Sequence, residues 1–435
     1  MKKLKKRLHP AYIWLRYHFG IAGPRRIAAT GQRIAATWKW IRQMSHSVRQ
    51  RRRDERLTVA VDISSFWEPL TGIGWYLYRL LEHLADRDDV RLRLYGPFLI
   101  DGEPYPQAVV PPPEGPALEV VAYHVPDQLL FSRGFIQKWL QKARPLWIAA
   151  DRNRVIFAPN YVPPPAFFLS RGKRVATVHD LGFVKVPWTL QQATLEELTA
   201  KLGQTFRRAA HIITPSRAVR QEIVDAGYAA ADRITAVHHG PGQLSTTTAG
   251  EVPTGCPKAF ALHVGTIEPR KNIITLLEAW EQLQKEGADL PLVLCGRFGW
   301  KSDELKAKIE KAQEEGWVHH FGYVENSQLA ALYESATLVV FPSLYEGFGL
   351  PAIEALWAGA PLLASDIPVL REVAADAALY ADPETPEEWV RQARLVAEDE
   401  DLRADLARRG RQRAGVFDWQ RAAEETLAVW RGVAR

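Results

Sequence analysis

The sequence predicts an α/β protein: two doubly wound, Rossmann-like domains facing a common cleft, preceded by a basic extension. Three observations carry this reading. At 435 residues the chain exceeds what one hydrophobic core ordinarily organises. From Leu57 onward, short β-rich runs alternate with helical patterns, as in mostly parallel sheets covered by helices. The alternation lapses over residues 240–257, "GPGQLSTTTAGEVPTGCP", which lack apolar periodicity, and then begins again. These shifts divide the chain into an extension (1–56), a first domain (57–250), a second domain (251–410) and a terminal helical segment (411–435).

Within the first domain, "RLTVAVDIS" reads as a strand buried on both sides. "GWYLYRLLEHLAD" comes next as a helix with Trp75, Tyr78, Leu81 and Leu84 on one face, and "VRLRLYGP" returns to strand. "RVIFAPN", "RVATVHD", "AHIITPS" and "RITAVHHG" are further strands, with helical text such as "SRAVRQEIVDAG" between them. The second domain opens with the strand "KAFALHVGT", the helix "KNIITLLEAWEQLQ" and the strand "LPLVLCGR". A helix from about Ser302, "VHHFGYV", a helix around "SQLAALYESA", the strand "TLVVFPSL", the helix "LPAIEALWAG" and "PLLASD" complete it. No sequence repeat relates the two units.

Composition narrows the class. Apolar residues at 47% and charged residues at 24% are ordinary for a soluble globular enzyme. Cys256 and Cys295 have no metal-ligand spacing, and such sparse cysteine fits a reducing compartment. The net charge of +6 is unevenly spread. Residues 1–56 hold 16 Lys or Arg against Asp54 and Glu55, a net of +14, which leaves −8 on the remainder. The extension interleaves its cations with Tyr12, Trp14, Tyr17, Phe19, Trp38 and Trp40 and has no secretory-signal pattern. Nowhere does an apolar run approach the roughly 18 residues of a spanning helix. Such a segment suits an anionic membrane surface; a solvated tail and a nucleic-acid arm are the alternatives, and no specific nucleic-acid signal occurs elsewhere.

Tandem doubly wound domains bind ligands at the carboxyl ends of their strands. Chemistry-bearing residues stand at those ends. Gly72 and Gly74 lie between a strand and a helix, where free N–H groups and the helix dipole favour an anion, although glycines are routine in such turns. His179 and Asp180 come after "VATV", a loop pair that the strand aims at the cleft. Gly265 precedes Arg270 and Lys271, two cations at an opening helix that suit a diphosphate. In "FPSLYEGFGLPAIEALWAGAPLLASD" (341–366), Gly347 and Gly349 separate Glu346 from Glu354, so both carboxylates can face one ligand. Carboxylates accept from sugar hydroxyls, which assigns the sugar and ribose to this loop and the diphosphate to Arg270 and Lys271. The plain alternative is a Gly-rich turn beside two solvated glutamates.

"EGFGLPAIE", "HVGTIEPRKN", "FGYVENSQLAALYESA" and "GAPLLASDIPVLREV" occur in an order and spacing that resembles the family-four retaining glycosyltransferases of GT-B fold. The resemblance covers about 57–430 and is strongest over 258–383; its branch is similar to bacterial mannosyltransferases of O-antigen and exopolysaccharide assembly. It implies that Glu354 bonds the ribose, that Glu346 with the N–H groups of Phe348, Gly349 and Leu350 holds the sugar, and that Lys271 neutralises the diphosphate. Backbone at Tyr323 and Val324 would meet the base, the Gly72–Gly74 loop would cover the phosphates, and His179 would contact the sugar near its reacting carbon. The terminal helix would cross back onto the first domain. Most of the family has Arg where this chain has Thr266, and Arg270 stands as the substitute.

The resemblance further implies front-face substitution with retention, in which the departing diphosphate takes the acceptor's proton. No cofactor and no metal is expected; "DRDD" at 86–89 resembles an Asp-x-Asp metal motif but closes a polar helix. The expected partners are a nucleotide sugar, GDP-mannose first, a glycan or lipid-linked glycan acceptor, and the inner face of the cell membrane. A sugar-nucleotide epimerase or hydrolase on a similar fold is the alternative, and a non-catalytic nucleotide-sugar or glycan binder a lesser one.

Overall fold

The computed structural model describes residues 55–67, 72–95, 99–100, 112–121, 124–125, 153–161, 171–242, 244 and 247–435. The basic extension, apart from its last two residues, lies outside them. Two parallel sheets organise the chain. The first contains β1 (Leu57–Asp62), β2 (Val90–Tyr95), β4 (Leu118–Val121), β6 (Val155–Ala158), β7 (Lys173–Thr177), β8 (His211–Thr214) and β9 (Ile234–Ala236). Its spatial order is β4-β2-β1-β6-β7-β8-β9, and a short pair, β3 (Leu99–Ile100) with β5 (His124–Val125), stands apart. The second sheet contains β10 (Ala261–Val264), β11 (Leu292–Cys295), β12 (Val318–Gly322), β13 (Leu338–Phe341), β14 (Leu362–Ser365) and β15 (Leu379–Ala381), in the order β12-β11-β10-β13-β14-β15. The α/β fold of two Rossmann-like units is as the sequence predicts.

Both sheets are buried on both faces, which explains why their strands are continuous apolar runs. Side chains alternate along each strand. Phe157, Val175 and Ile213 enter one apolar cluster while Ala158, Ala176 and Ile212 enter the opposite one. In the second sheet Leu262, Val339 and Phe341 face one way, and Ala261, Leu338 and Val340 the other.

The helices that cover the first sheet include α1 (Gly72–Leu84), α2 (Gly182–Lys185), α3 (Gln192–Arg208) and α4 (Arg217–Asp225). On α1 the buried face is Tyr76, Leu77, Leu80, Leu81 and Leu84, whereas Trp75 and Tyr78 are only partly covered. Of the face read from the sequence, Leu81 and Leu84 are buried and Tyr78 packs against the same cluster, while Trp75 is only partly covered and Tyr76, Leu77 and Leu80 complete the face. Gly72 and Gly74 also shift, because the helix already begins at Gly72 and both glycines belong to its first turn.

The second sheet is covered by α5 (Ile273–Lys285), α6 (Asp303–Glu314), α7 (Asn326–Ser335), α8 (Leu350–Ala358), α9 (Pro368–Ala374), α10 (Pro386–Glu398) and α11 (Glu400–Ala414). The last helix, α12 (Trp419–Ala434), leaves this unit and packs on α1. Its Trp419, Leu427 and Trp430 join the same cluster as Val59, Leu81 and Phe157 of the first domain. The "DRDD" aspartates lie just past α1, and Asp89 pairs with Arg87 and with Arg431 of α12, a structural use of the carboxylate.

Candidate functional site

In each sheet the strand order reverses beside the first strand of the unit: between β1 and β6 in one, between β10 and β13 in the other. Loops leaving such a pair run in opposite directions and open a crevice. In the second domain the two loops are zipped together. Pro269–Lys271 form a short 3-10 turn, after which Asn272 takes a left-handed φ of 54°. The Asn272 amide donates to the carbonyl oxygens of Pro342 (3.1 Å) and Pro383 (2.6 Å), and Leu344 N–H donates to the Arg270 carbonyl at 2.9 Å.

That zipper brings together side chains 75 residues apart. Lys271 Nζ donates to Glu346 Oε1 at 2.6 Å, and an Arg270 guanidinium nitrogen lies 3.0 Å from the same oxygen. Arg270 is also held by Glu268 at 2.8 Å and donates to the Tyr345 carbonyl at 3.0 Å. Burial pushes the Glu346 carboxyl up, but the Lys271 and Arg270 charges outweigh it and hold the group at about 2. Glu346 is therefore ionised at neutral pH. Two cations, Arg270 and Lys271, are thus matched by two carboxylates, Glu268 and Glu346.

Glu346 is succeeded by a backbone shaped for close approach. Gly349 has φ of 89°, a left-handed conformation that L side chains rarely adopt, and caps α8. Among the described residues, the N–H groups of Phe348, Gly349 and Leu350 donate to no other residue, so the start of α8 offers free donors beside Glu346. One turn into α8, Glu354 accepts from Tyr333 Oη at 3.2 Å. Burial raises its carboxyl to about 7, against the opposing pull of Tyr333. Gly242, in the segment crossing between the domains, lies so close that a Cβ there would be 1.8 Å from Glu354 Oε1.

The first domain forms the other wall. His179 stands past the end of β7, and its Nε2 lies 2.7 Å from the Pro159 carbonyl, which can only accept, so Nε2 carries the proton and Nδ1 the lone pair. Burial lowers its pKa, with the Pro159 bond and Asp180 opposing, and the ring is neutral at pH 7. A Cβ on Gly347 would stand 1.9 Å from the His179 carbonyl oxygen. The two loops thus touch backbone to backbone.

Further contacts hold this closed arrangement. Tyr345 Oη donates to Glu222 of α4 at 2.7 Å and accepts from Leu181 N–H at 2.9 Å. Ser216 Oγ donates to the Gly347 carbonyl at 2.8 Å. Glu372 of α9 accepts from both Arg217 N–H and Ala218 N–H at 2.8 Å, capping α4 from across the cleft, and lies 2.6 Å from His238 Nε2. On another edge Trp300 Nε1 donates to the Thr189 carbonyl at 2.7 Å.

The structure accordingly gathers His179, Lys271, Arg270, Glu346, Gly347 and Phe348 at one point. Gly265 adjoins Lys271 and Thr266 is exposed beside it. Tyr323, 64% exposed against Arg297, and Val324 lie past β12, two strands from β10. Tyr345, Ser216, Glu222, Glu372 and His239 went unread in the sequence. A doubled histidine in "VHHG" was the one available signal, since the others carry no motif.

Two family models match the chain: "Glycosyltransferase Family 4" over residues 70–240 and "Glycosyl transferases group 1" over 253–413. The O-antigen chain mannosyltransferase B of Escherichia coli is 30% identical over 377 residues, which span 83% of this chain and 96% of that protein. The chain belongs to the family-four glycosyltransferases of GT-B fold. Solved structures agree on the fold of this glycosyltransferase. A sucrose-phosphate synthase from Thermosynechococcus elongatus superposes with a TM-score of 0.65 at 20% identity, covering 87% of this chain and 99% of the other. Anabaena HepE, solved with UDP and glucose, gives 0.60 at 18% identity, with 86% and 99% covered.

The geometry sets two outcomes. Gly347→Ala forces the His179 loop away from the Glu346 loop; turnover should fall by about 100-fold, the scale of a 1 Å misplacement, while each domain stays folded by circular dichroism. Glu354 holds its proton to higher pH when folded than when unfolded, where its ordinary value is 4.5. Its contribution to stability is therefore complete below pH 4.5 and is lost as pH rises toward 7, at up to about 1.4 kcal/mol per pH unit. Unfolding titrations should show that slope in the unaltered protein and not in Glu354→Gln, so that it stands out in their difference curve.

Proposed function

We propose that this glycosyltransferase is a retaining mannosyltransferase that uses GDP-mannose and extends a lipid-linked or polysaccharide acceptor in cell-surface glycan assembly. The observation that carries the site reading is the meeting of Lys271 and Glu346 at the β10–β13 crevice, with free N–H groups at the start of α8 beside them. The O-antigen mannosyltransferase relative supports mannose and the acceptor class.

In this reading Glu346 exchanges its bond to Lys271 for hydroxyls of the transferred sugar, which frees the ammonium for the diphosphate. Arg270 stays on Glu268 and the Tyr345 carbonyl and fixes the loop. Glu354 gives up its proton to become an acceptor for the ribose hydroxyls, and backbone at Tyr323 and Val324 takes the base. The first turn of α1, with Gly72 and Gly74, lies over the phosphates, and His179 Nδ1 accepts from a sugar hydroxyl. Donors aimed at the leaving diphosphate stabilise the charge that develops as the glycosidic bond breaks. The acceptor hydroxyl attacks from the face the diphosphate leaves and passes its proton to a diphosphate oxygen. Charge neutralisation comes from Lys271 and the helix start, and the reading assigns no metal.

HepE, with its bound UDP and glucose, favours a second donor class for proteins of this fold. Melting temperatures measured with GDP-, UDP- and dTDP-sugars decide between them, because a ligand that binds the native state raises the transition in proportion to affinity. GDP-mannose should give the largest shift; a larger one with a UDP-sugar replaces the donor. Product analysis with and without acceptor separates transfer from epimerisation or hydrolysis. Glu346→Gln, which keeps shape and loses charge, should cut transfer by about 10²–10³-fold, and Lys271→Ala at least as much. Near-normal transfer by either removes the site assignment.

The same reading assigns residues 1–56 to the anionic inner face of the cell membrane, as a peripheral contact through cations and interfacial aromatics. Among the described residues no helix is long and apolar enough to cross a membrane. Removing residues 1–50 should move the protein from the membrane to the soluble fraction; unchanged partitioning ends the proposal.

A further inference from the structure

His239 stands just past β9, where the chain crosses between the domains, and is 4% exposed. Two aromatic rings pack on its imidazole. Tyr76 of α1 stacks on the ring at 4.5 Å and Trp419 of α12 at 5.5 Å. The ring also adjoins His179 at 5.8 Å and Phe348 at 5.0 Å, each inclined by more than 60°. Those two residues come from opposite walls of the cleft, so His239 occupies the point where both domains and the terminal helix converge.

Its Nε2 is buried and has no hydrogen-bond partner among the described residues. A buried ring nitrogen without a partner destabilises the fold, and phenylalanine would keep the stack without that cost. A ligand seated between His179 and Phe348 supplies what the protein does not. We propose that His239 is a further donor-binding residue, its Nε2 hydrogen-bonding an oxygen of the nucleotide sugar between His179 and the Phe348 loop. This rests on the reading of the cleft as a nucleotide-sugar site. Burial, together with His179 and His238, keeps the imidazole neutral, so the contact is a hydrogen bond and not an ion pair. A neutral ring bonds either a sugar hydroxyl or, through Nε2–H, a diphosphate oxygen.

His239→Phe tests the proposal, since it preserves the stack and deletes the nitrogen. Turnover should fall by about tenfold or more, the loss expected for one hydrogen bond, with the melting temperature retained or raised. Calorimetry with GDP and with GDP-mannose then locates the contact. Weaker binding of both points to the diphosphate, and weaker binding of GDP-mannose alone points to the sugar. His239→Gln, whose amide reaches toward the Nε2 position, should retain more turnover than His239→Asn. Turnover and nucleotide-sugar affinity of His239→Phe within about twofold of the unaltered enzyme would overturn the proposal. If the Phe variant fails to fold, equal turnover by the Gln and Asn variants overturns it instead. An unaltered enzyme that neither binds nor turns over any GDP-, UDP- or dTDP-sugar overturns the donor-site reading and this proposal together; a Phe variant indistinguishable from an active enzyme overturns the histidine alone.

Discussion

A buried ion pair between two loops is the joint on which the site depends. Lys271 and Glu346 are each nearly excluded from water, and neither would be tolerated there alone, because an unpaired charge at that depth costs several kcal/mol. Pairing them obliges the β10 and β13 loops to stay in register, which the Asn272 bonds to Pro342 and Pro383 then reinforce. In the proposed function the same pair carries the chemistry, Glu346 as the acceptor for sugar hydroxyls and Lys271 as the partner of the diphosphate.

That joint also governs how the domains meet. Glu346 is flanked on one side by Gly347, whose missing side chain lets the His179 carbonyl approach, and on the other by Tyr345, whose hydroxyl reaches Glu222 and Leu181. Three consecutive residues therefore carry the latch, the charge and the close approach. Glu372 adds a fourth tie by capping α4 from the other domain, where a helix start would otherwise leave free N–H groups. The terminal helix closes the structure from behind: Trp419 donates to the Pro241 carbonyl at 2.7 Å and stacks on His239, fixing the crossing segment against the first domain.

Much of this architecture is legible in the sequence, and the misses have physical causes. Strands buried on both faces are written as continuous apolar runs, so β1, β10 and β13 announce themselves. On α1 the sequence stripe finds Leu81 and Leu84 but not Tyr76, Leu77 and Leu80, because Trp75 and Tyr78 are apolar by residue type while packing buries the neighbouring line more deeply. Arg270 reads as a phosphate ligand from its address; its partners Glu268 and Tyr345 show it bracing the loop as well. The contacts by which Tyr345, Ser216 and Glu372 join the domains have no signal in the sequence, since each reaches a partner more than 100 residues away.

By itself the sequence determined the fold class, the break between the two units and the kinds of group at the strand ends: carboxylates in one loop, cations in another, a histidine in a third. These are local properties, set by periodicity and by the few residues beyond each strand. The tertiary structure alone decided which of those loops touch. Parallel strands are joined by long crossovers, so neighbours in a sheet are distant in the chain, and the order β11-β10-β13 rather than the order along the chain brings Lys271 to Glu346. The tertiary fold then adds contacts that no spacing encodes, the backbone approach at Gly347 and the packing of His239 against Tyr76 and Trp419.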